Sequence, residues 1–85
     1  MKTLSDIAAS YDEWAKANEA TAEEILTSID SFAEEIRGYK RWRANWLTAE
    51  ASELRERATD LRRLERQRSI REVAGTAAYA ASAQN

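Results

Sequence analysis

The chain contains no proline and only two glycines, and the first of these, Gly38, divides it into halves of unlike charge. Residues 1–37 carry nine acidic and three basic side chains; from Gly38 onward there are ten basic and six acidic ones. Proline and glycine are the strongest local breakers of regular structure, so a chain this poor in both has few places to end a helix. An acidic helix and a basic helix of near-equal length, hinged at Gly38, would fold back and pair along their length. The spacing therefore predicts an all-α fold, a long antiparallel helical hairpin of coiled-coil type. Its parts are a helix over 4–36, a turn at 37–40 and a helix over 41–74. Together these make one helical domain, 1–74, followed by an Ala-rich C-terminal tail, 75–85. Gly38 and Gly75 are expected to end the two helices with positive φ.

In the first half, acidic doublets recur every eleven residues at Asp12-Glu13, Glu23-Glu24 and Glu34-Glu35, and Trp14, Ile25 and Ile36 keep the same register. Eleven residues over three turns is about 3.67 per turn, which keeps a stripe on one side of a nearly straight helix. Thr3 with Asp6 offers an N-cap. Thr21-Ala-Glu-Glu24 also matches a capping box, and a break near Thr21 would give a three-helix bundle instead. In the second half Leu47, Ala51, Leu54, Ala58 and Leu61 follow the 4-3-4-3 spacing of an antiparallel seam, continued with a phase shift by Leu64, Ile70 and Val73.

Folding at Gly38 sets Ile29 against Leu47, Ile25 against Ala51, Ala22 against Leu54 and Ala15 against Leu61. It sets Ile7 against Ile70 and Leu4 against Val73. Flanking charges then agree, with Glu19 near Arg57, Asp12 and Glu13 near Arg62 and Arg63, and Asp6 near Arg71. A lone hairpin leaves Leu26, Phe32 and some tryptophans uncovered, so dimerisation into a four-helix arrangement is expected.

Histidine and cysteine are both absent. That removes the commonest general base, the soft metal ligands and the thiol nucleophile, so no enzymatic activity, catalytic residue, cofactor or metal is expected. Adjacent carboxylates on a helix diverge by about 100° and cannot chelate together. No apolar run approaches the length of a membrane span and no signal-peptide core opens the chain, so no membrane partner is expected and a cytoplasmic location is.

Two surfaces stand out. The segment Tyr39-Lys-Arg-Trp-Arg-Ala-Asn-Trp46 places Tyr39, Trp42 and Trp46 along one helical face beside Arg41 and Arg43. Aromatic and arginine side chains dominate binding hot spots, which makes these five the candidate partner-binding residues. The second surface is the arginine-rich face of Arg55, Arg62, Arg63, Arg66 and Arg68, suited to a phosphate backbone or an acidic partner. Interspersed Glu53, Glu56, Asp60 and Glu65 weaken the nucleic-acid reading.

Length, acidity and a tryptophan near the bend are features in which the chain resembles the small secreted helical hairpins with a Trp-x-Gly turn. That motif is absent here: Trp42 is followed by Arg43-Ala44 and Trp46 by Leu47-Thr48, and Tyr79 has Ala83 rather than an acid four residues on. The expectation is a non-enzymatic protein–protein interaction module, working as a homodimer with another protein. It would serve as an adaptor, an assembly subunit, or an inhibitor or regulator of a larger complex, of the kind a phage encodes. A nucleic-acid binder using the second helix is the alternative.

Overall fold

The computed structural model describes residues 2–83, and these form two α-helices joined by a short reversal. Helix α1 spans Leu4–Thr27 and helix α2 spans Glu34–Ala83. At 1.5 Å per residue their 24 and 50 residues make rods of about 36 and 75 Å. The molecule measures 78 × 19 × 15 Å, one long helix with a shorter one laid antiparallel along it. The all-helical hairpin is as the spacing predicts; the position of its bend is not.

The chain reverses over residues 28–33, not 37–40. Ser28 closes α1, its N–H reaching Glu24 O at 3.1 Å and its hydroxyl donating to the same carbonyl at 2.8 Å. A single 3-10 turn, Ile29–Ser31, comes next, and Phe32 is extended. Ser28 and Ser31 compete with the helix ladder through their own side chains, and Ser31 Oγ donates to Ser28 O at 2.6 Å. Gly38 sits inside α2 at negative φ, and a side chain added there would meet nothing within 4 Å. Gly75 is likewise helical, and α2 runs through it to Ala83, in the stretch expected as a tail; Gln84 and Asn85 lie outside the described residues.

Helix α1 begins at the expected cap. Thr3 Oγ1 accepts from Asp6 N–H at 3.1 Å and Asp6 accepts from Thr3 N–H at 3.0 Å, a reciprocal capping box. The second capping box, at Thr21, is not used. Thr21 Oγ1 donates instead to Ala17 O at 3.0 Å, one turn back, and the helix passes through unbroken. This rules out the three-helix bundle.

The seam has a seven-residue repeat on both sides. In α1 the buried residues are Ala8, Ala15 and Ala22, with half-buried Leu4, Tyr11, Asn18 and Ile25 between them. In α2 they are Ala44, Leu47, Ala51, Leu54 and Ala58, with Leu61 half buried beyond. Ala15 packs with Ala51 and Leu54, and Ala22 with Ala44 and Leu47. Leu54 therefore meets Ala15 rather than Ala22, and Leu47 meets Ala22 rather than Ile29. Each partner lies seven residues nearer the N-terminus than the fold at Gly38 implied. A one-heptad slip preserves which faces point inward, so Leu47, Ala51, Leu54, Ala58 and Leu61 face the seam as read while their partners change, and Ala44 joins them.

The slip also strands the end of the expected seam. Ser5 N–H and hydroxyl bond Glu65 at 2.5 and 2.8 Å, so α1 ends level with Glu65 and cannot cover the later turns of α2. Leu64, Ile70 and Val73 are accordingly exposed, not paired with Ile7 and Leu4. Asp12 does bond Arg62, at 2.5 Å, but Glu19 reaches Arg55 rather than Arg57. Asp6 is engaged by the cap rather than by Arg71.

Two outcomes test this arrangement. Gly38→Ala should stabilise the protein by about 0.5–1 kcal/mol, because a helical glycine wastes chain entropy. In a domain of this size that raises Tm by several degrees, whereas a turn glycine would be destabilised by the same change. The cap should also leave a pH signature. The Thr3 N–H, then the Thr3 hydroxyl and the Lys2 charge, hold the Asp6 carboxyl below its usual range. A depressed folded-state pKa gives stability that is present above the unfolded-state value, near 3.9, and lost as pH falls through the folded one. Asp6→Asn should thus lower the urea midpoint at neutral pH, and the gap to the parent should close in acid below about pH 4.

Candidate functional site

The seam leaves the bulky side chains on the flanks, and the two flanks differ. Ser5, Asp12 and Glu19 recur every seven residues along one edge of α1 and bond Glu65, Arg62 and Arg55 in turn. These tethers make one flank polar. Each is exposed and contributes at most a few tenths of a kcal/mol, but together they define the register.

The other flank is the more apolar of the two. Ile7 and Tyr11 of α1 and Arg57, Asp60 and Leu61 of α2 line an open depression of about 390 Å³ between the helices. Trp14 lies one turn beyond Tyr11 on this side and is 55% exposed. Trp46 lies three turns before Arg57 on the same row of α2 and is 46% exposed.

Toward the bend, the expected aromatic segment forms a cluster. Tyr39 and Trp42, three residues apart on α2, have ring centroids 5.9 Å apart and are each 58% exposed. That separation is within the range of favourable aromatic pairing. The Arg43 guanidinium stands 5.9 Å from the Trp46 ring centroid, and Arg41 is exposed with no ion pair among the described residues. The five residues singled out for partner binding are thus brought onto adjoining turns of α2 near the reversal.

Arg37 and Lys40 serve the bend itself. Arg37 Nε donates to Phe32 O at 3.0 Å and its Nη2 to Asp30 O at 3.2 Å, clamping two carbonyls left over by the reversal. Lys40 Nζ lies 4.7 Å above the Phe32 ring. Neither role fits a turn at Gly38, and both need Phe32 to be outside a helix.

The second candidate face is differently disposed. Arg55 pairs with Glu19, Arg62 with Asp12, Arg63 with Asp60 and Arg68 with Glu72 at 3.2 Å. Of the five arginines, Arg66 alone makes no ion pair among the described residues; it borders a shallow depression with Ser5, Glu65, Ser69 and Ile70. Among the described residues there is no grouping of acidic side chains able to hold a metal ion, and no helix long and apolar enough to cross a membrane. Asp6 is the described group with a clearly displaced pKa, and its displacement belongs to the cap.

No protein-family model matches the chain, and neither a protein of described function nor a solved structure resembles it significantly.

The Arg37 clamp yields an expected outcome. Arg37→Ala leaves the Phe32 and Asp30 carbonyls without their donor and should cost about 1–2 kcal/mol, read from urea unfolding. Arg37→Lys should not restore it, because an ammonium cannot present the two diverging donors of a guanidinium.

Proposed function

We propose that this protein is a small non-enzymatic interaction module that docks another protein through the aromatic cluster at the bend end of its hairpin. The observation that carries this reading is the exposed, mutually packed Tyr39–Trp42 pair beside Arg41, which makes no ion pair among the described residues. Exposed aromatic rings are expensive to leave in water, and Trp, Tyr and Arg are the side chains enriched where binding energy concentrates. A rigid helix presents them at small entropic cost on binding. Adaptor, assembly subunit and inhibitor are all roles for such a rod, and a cytoplasmic setting belongs to the same reading.

The arginine face favours a protein over nucleic acid as partner. Four of its five guanidiniums already share a carboxylate, so a phosphate backbone would have to displace those partners to gain the usual counterion-release energy. A shallow salt dependence of retention on immobilised DNA is the expected behaviour.

Trp42→Ala is the direct test. The ring is outside the seam, so helicity by circular dichroism and the urea midpoint should be unchanged. Affinity for the protein co-purifying with the parent should fall by at least about 2 kcal/mol, roughly thirtyfold. Parent-like binding by a folded Trp42→Ala, Arg41→Ala double variant would refute the site.

A further inference from the structure

The apolar flank is built to meet itself. Ala15 packs between Ala51 and Leu54, which puts Trp14 level with that stretch of α2. Trp46 and Leu61 are centred on the same level, between residues 53 and 54, one as a projecting ring and the other in the floor of the depression. Glu50 and Arg57 share that centre too, two turns apart on one row. They carry opposite charge, and neither makes an ion pair among the described residues. A two-fold axis lying in the interface at right angles to the helices would exchange all of these at once. Trp46 of each copy would enter the depression of the other, Arg57 would meet Glu50 twice, and Trp14 would pack against its own counterpart.

From this coincidence of centres we infer that the protein forms an antiparallel two-fold dimer through the flank bearing Trp14, Trp46, Glu50, Arg57 and Leu61. Such an interface is isologous, so a single favourable contact is counted twice. It stacks α1 on α1 and α2 on α2, so every neighbouring pair in the resulting four-helix arrangement is antiparallel. The surface area agrees. The chain exposes 6705 Å², whereas a compact monomer of 9.7 kDa exposes about 5,100 Å². The uncovered end of α2 accounts for part of the excess, and a standard interface removes about 800 Å² from each partner. The need is also plain in the core, where Leu54 is the one large side chain fully buried among the described residues. The inference rests on the reading of the chain as an interaction protein and names its first partner as a second copy. The Tyr39–Trp42 pair lies at the rim of this face and stays available to another protein.

The test is the mass in solution across a dilution series, by sedimentation or light scattering. The parent should have twice the chain mass of 9.7 kDa. Trp46→Ala should raise the dimer dissociation constant at least about thirtyfold, with helicity retained. Arg57→Glu should weaken the dimer, and the exchange Glu50→Arg with Arg57→Glu should restore it, which a merely sticky surface would not do. The chain has no cysteine of its own, so Trp14→Cys should cross-link to itself on oxidation, while Leu26→Cys, beside the tethered flank, should not. A monomer at a hundred-micromolar concentration, or a dimer indifferent to Trp46→Ala and to the charge exchange, overturns the inference. In either of those cases loss of partner binding in Trp42→Ala would leave the proposed function standing. A parent-like Trp42→Ala in a dimeric protein would do the reverse.

Discussion

Everything in this molecule depends on how closely α1 can approach α2, and three alanines set that distance. With Ala8, Ala15 and Ala22 at the centre of its seam, α1 brings no bulk between the axes, and the backbones can close toward the short end of the range of about 8–10 Å for packed helices. Close approach has two consequences. The buried volume is small, so the leucines of α2, Leu47 and Leu54, supply most of the apolar bulk that leaves water. Large side chains on α1 are meanwhile displaced from the seam to its edges. Trp14, next to Ala15 in sequence, could not occupy the centre without forcing the helices apart, and it stands outside instead.

The edges then divide the labour. On one, Ser5, Asp12 and Glu19 reach across at seven-residue intervals and hold the register that small, similar alanines leave weakly specified. A slip of one heptad would bury much the same faces, and it is these polar partners and the Arg37 clamp on the reversal that distinguish the observed pairing. On the other edge no such tether is needed, and the aromatic and aliphatic side chains collect there. The charge segregation of the sequence thus serves the hairpin first. It pairs Arg55 and Arg62 with acids of α1, while Arg63 and Arg68 take carboxylates of α2 itself, and the aromatic edge is left as the chemically distinctive one.

The seam of α2 is legible in the sequence because its 4-3 spacing runs unbroken from Ala44 to Leu61 and a helix displays such spacing directly. That of α1 is present too, in Leu4, Ala8, Tyr11, Ala15, Ala22 and Ile25, but the recurring acidic doublets point to eleven residues instead. The third doublet, Glu34-Glu35, lies in the first turn of α2, so that repeat spans the reversal and has no structural meaning. The bend is hidden because a lone glycine is a louder signal than two local competitors for backbone hydrogen bonds. An interior glycine costs a helix only about 1 kcal/mol, and Gly38 is tolerated; Ser28 and Ser31 offer the backbone an alternative, and the helix ends beside them. The aromatic residues near the bend can be named from composition alone. Trp14 cannot be joined to Trp46 and Leu61 in that way, since the link requires the register.

Unequal helix lengths add a last asymmetry. Because Ser5 sits level with Glu65, α2 continues for residues 66–83 beyond its partner, about 27 Å of helix sustained by its own ladder and by pairs such as Arg68–Glu72. An isolated helix of that length is marginal in water, so stability is graded along the rod, highest where the reversal, the Arg37 clamp and the alanine seam coincide. The aromatic cluster is mounted at that end. Rings held on the best-supported turns of α2 would lose little conformational freedom if a partner covered them, and more of their contact energy would then be available as affinity. Had Tyr39 and Trp42 stood near Val73 instead, the helix carrying them would have had no α1 behind it, since α1 ends level with Glu65.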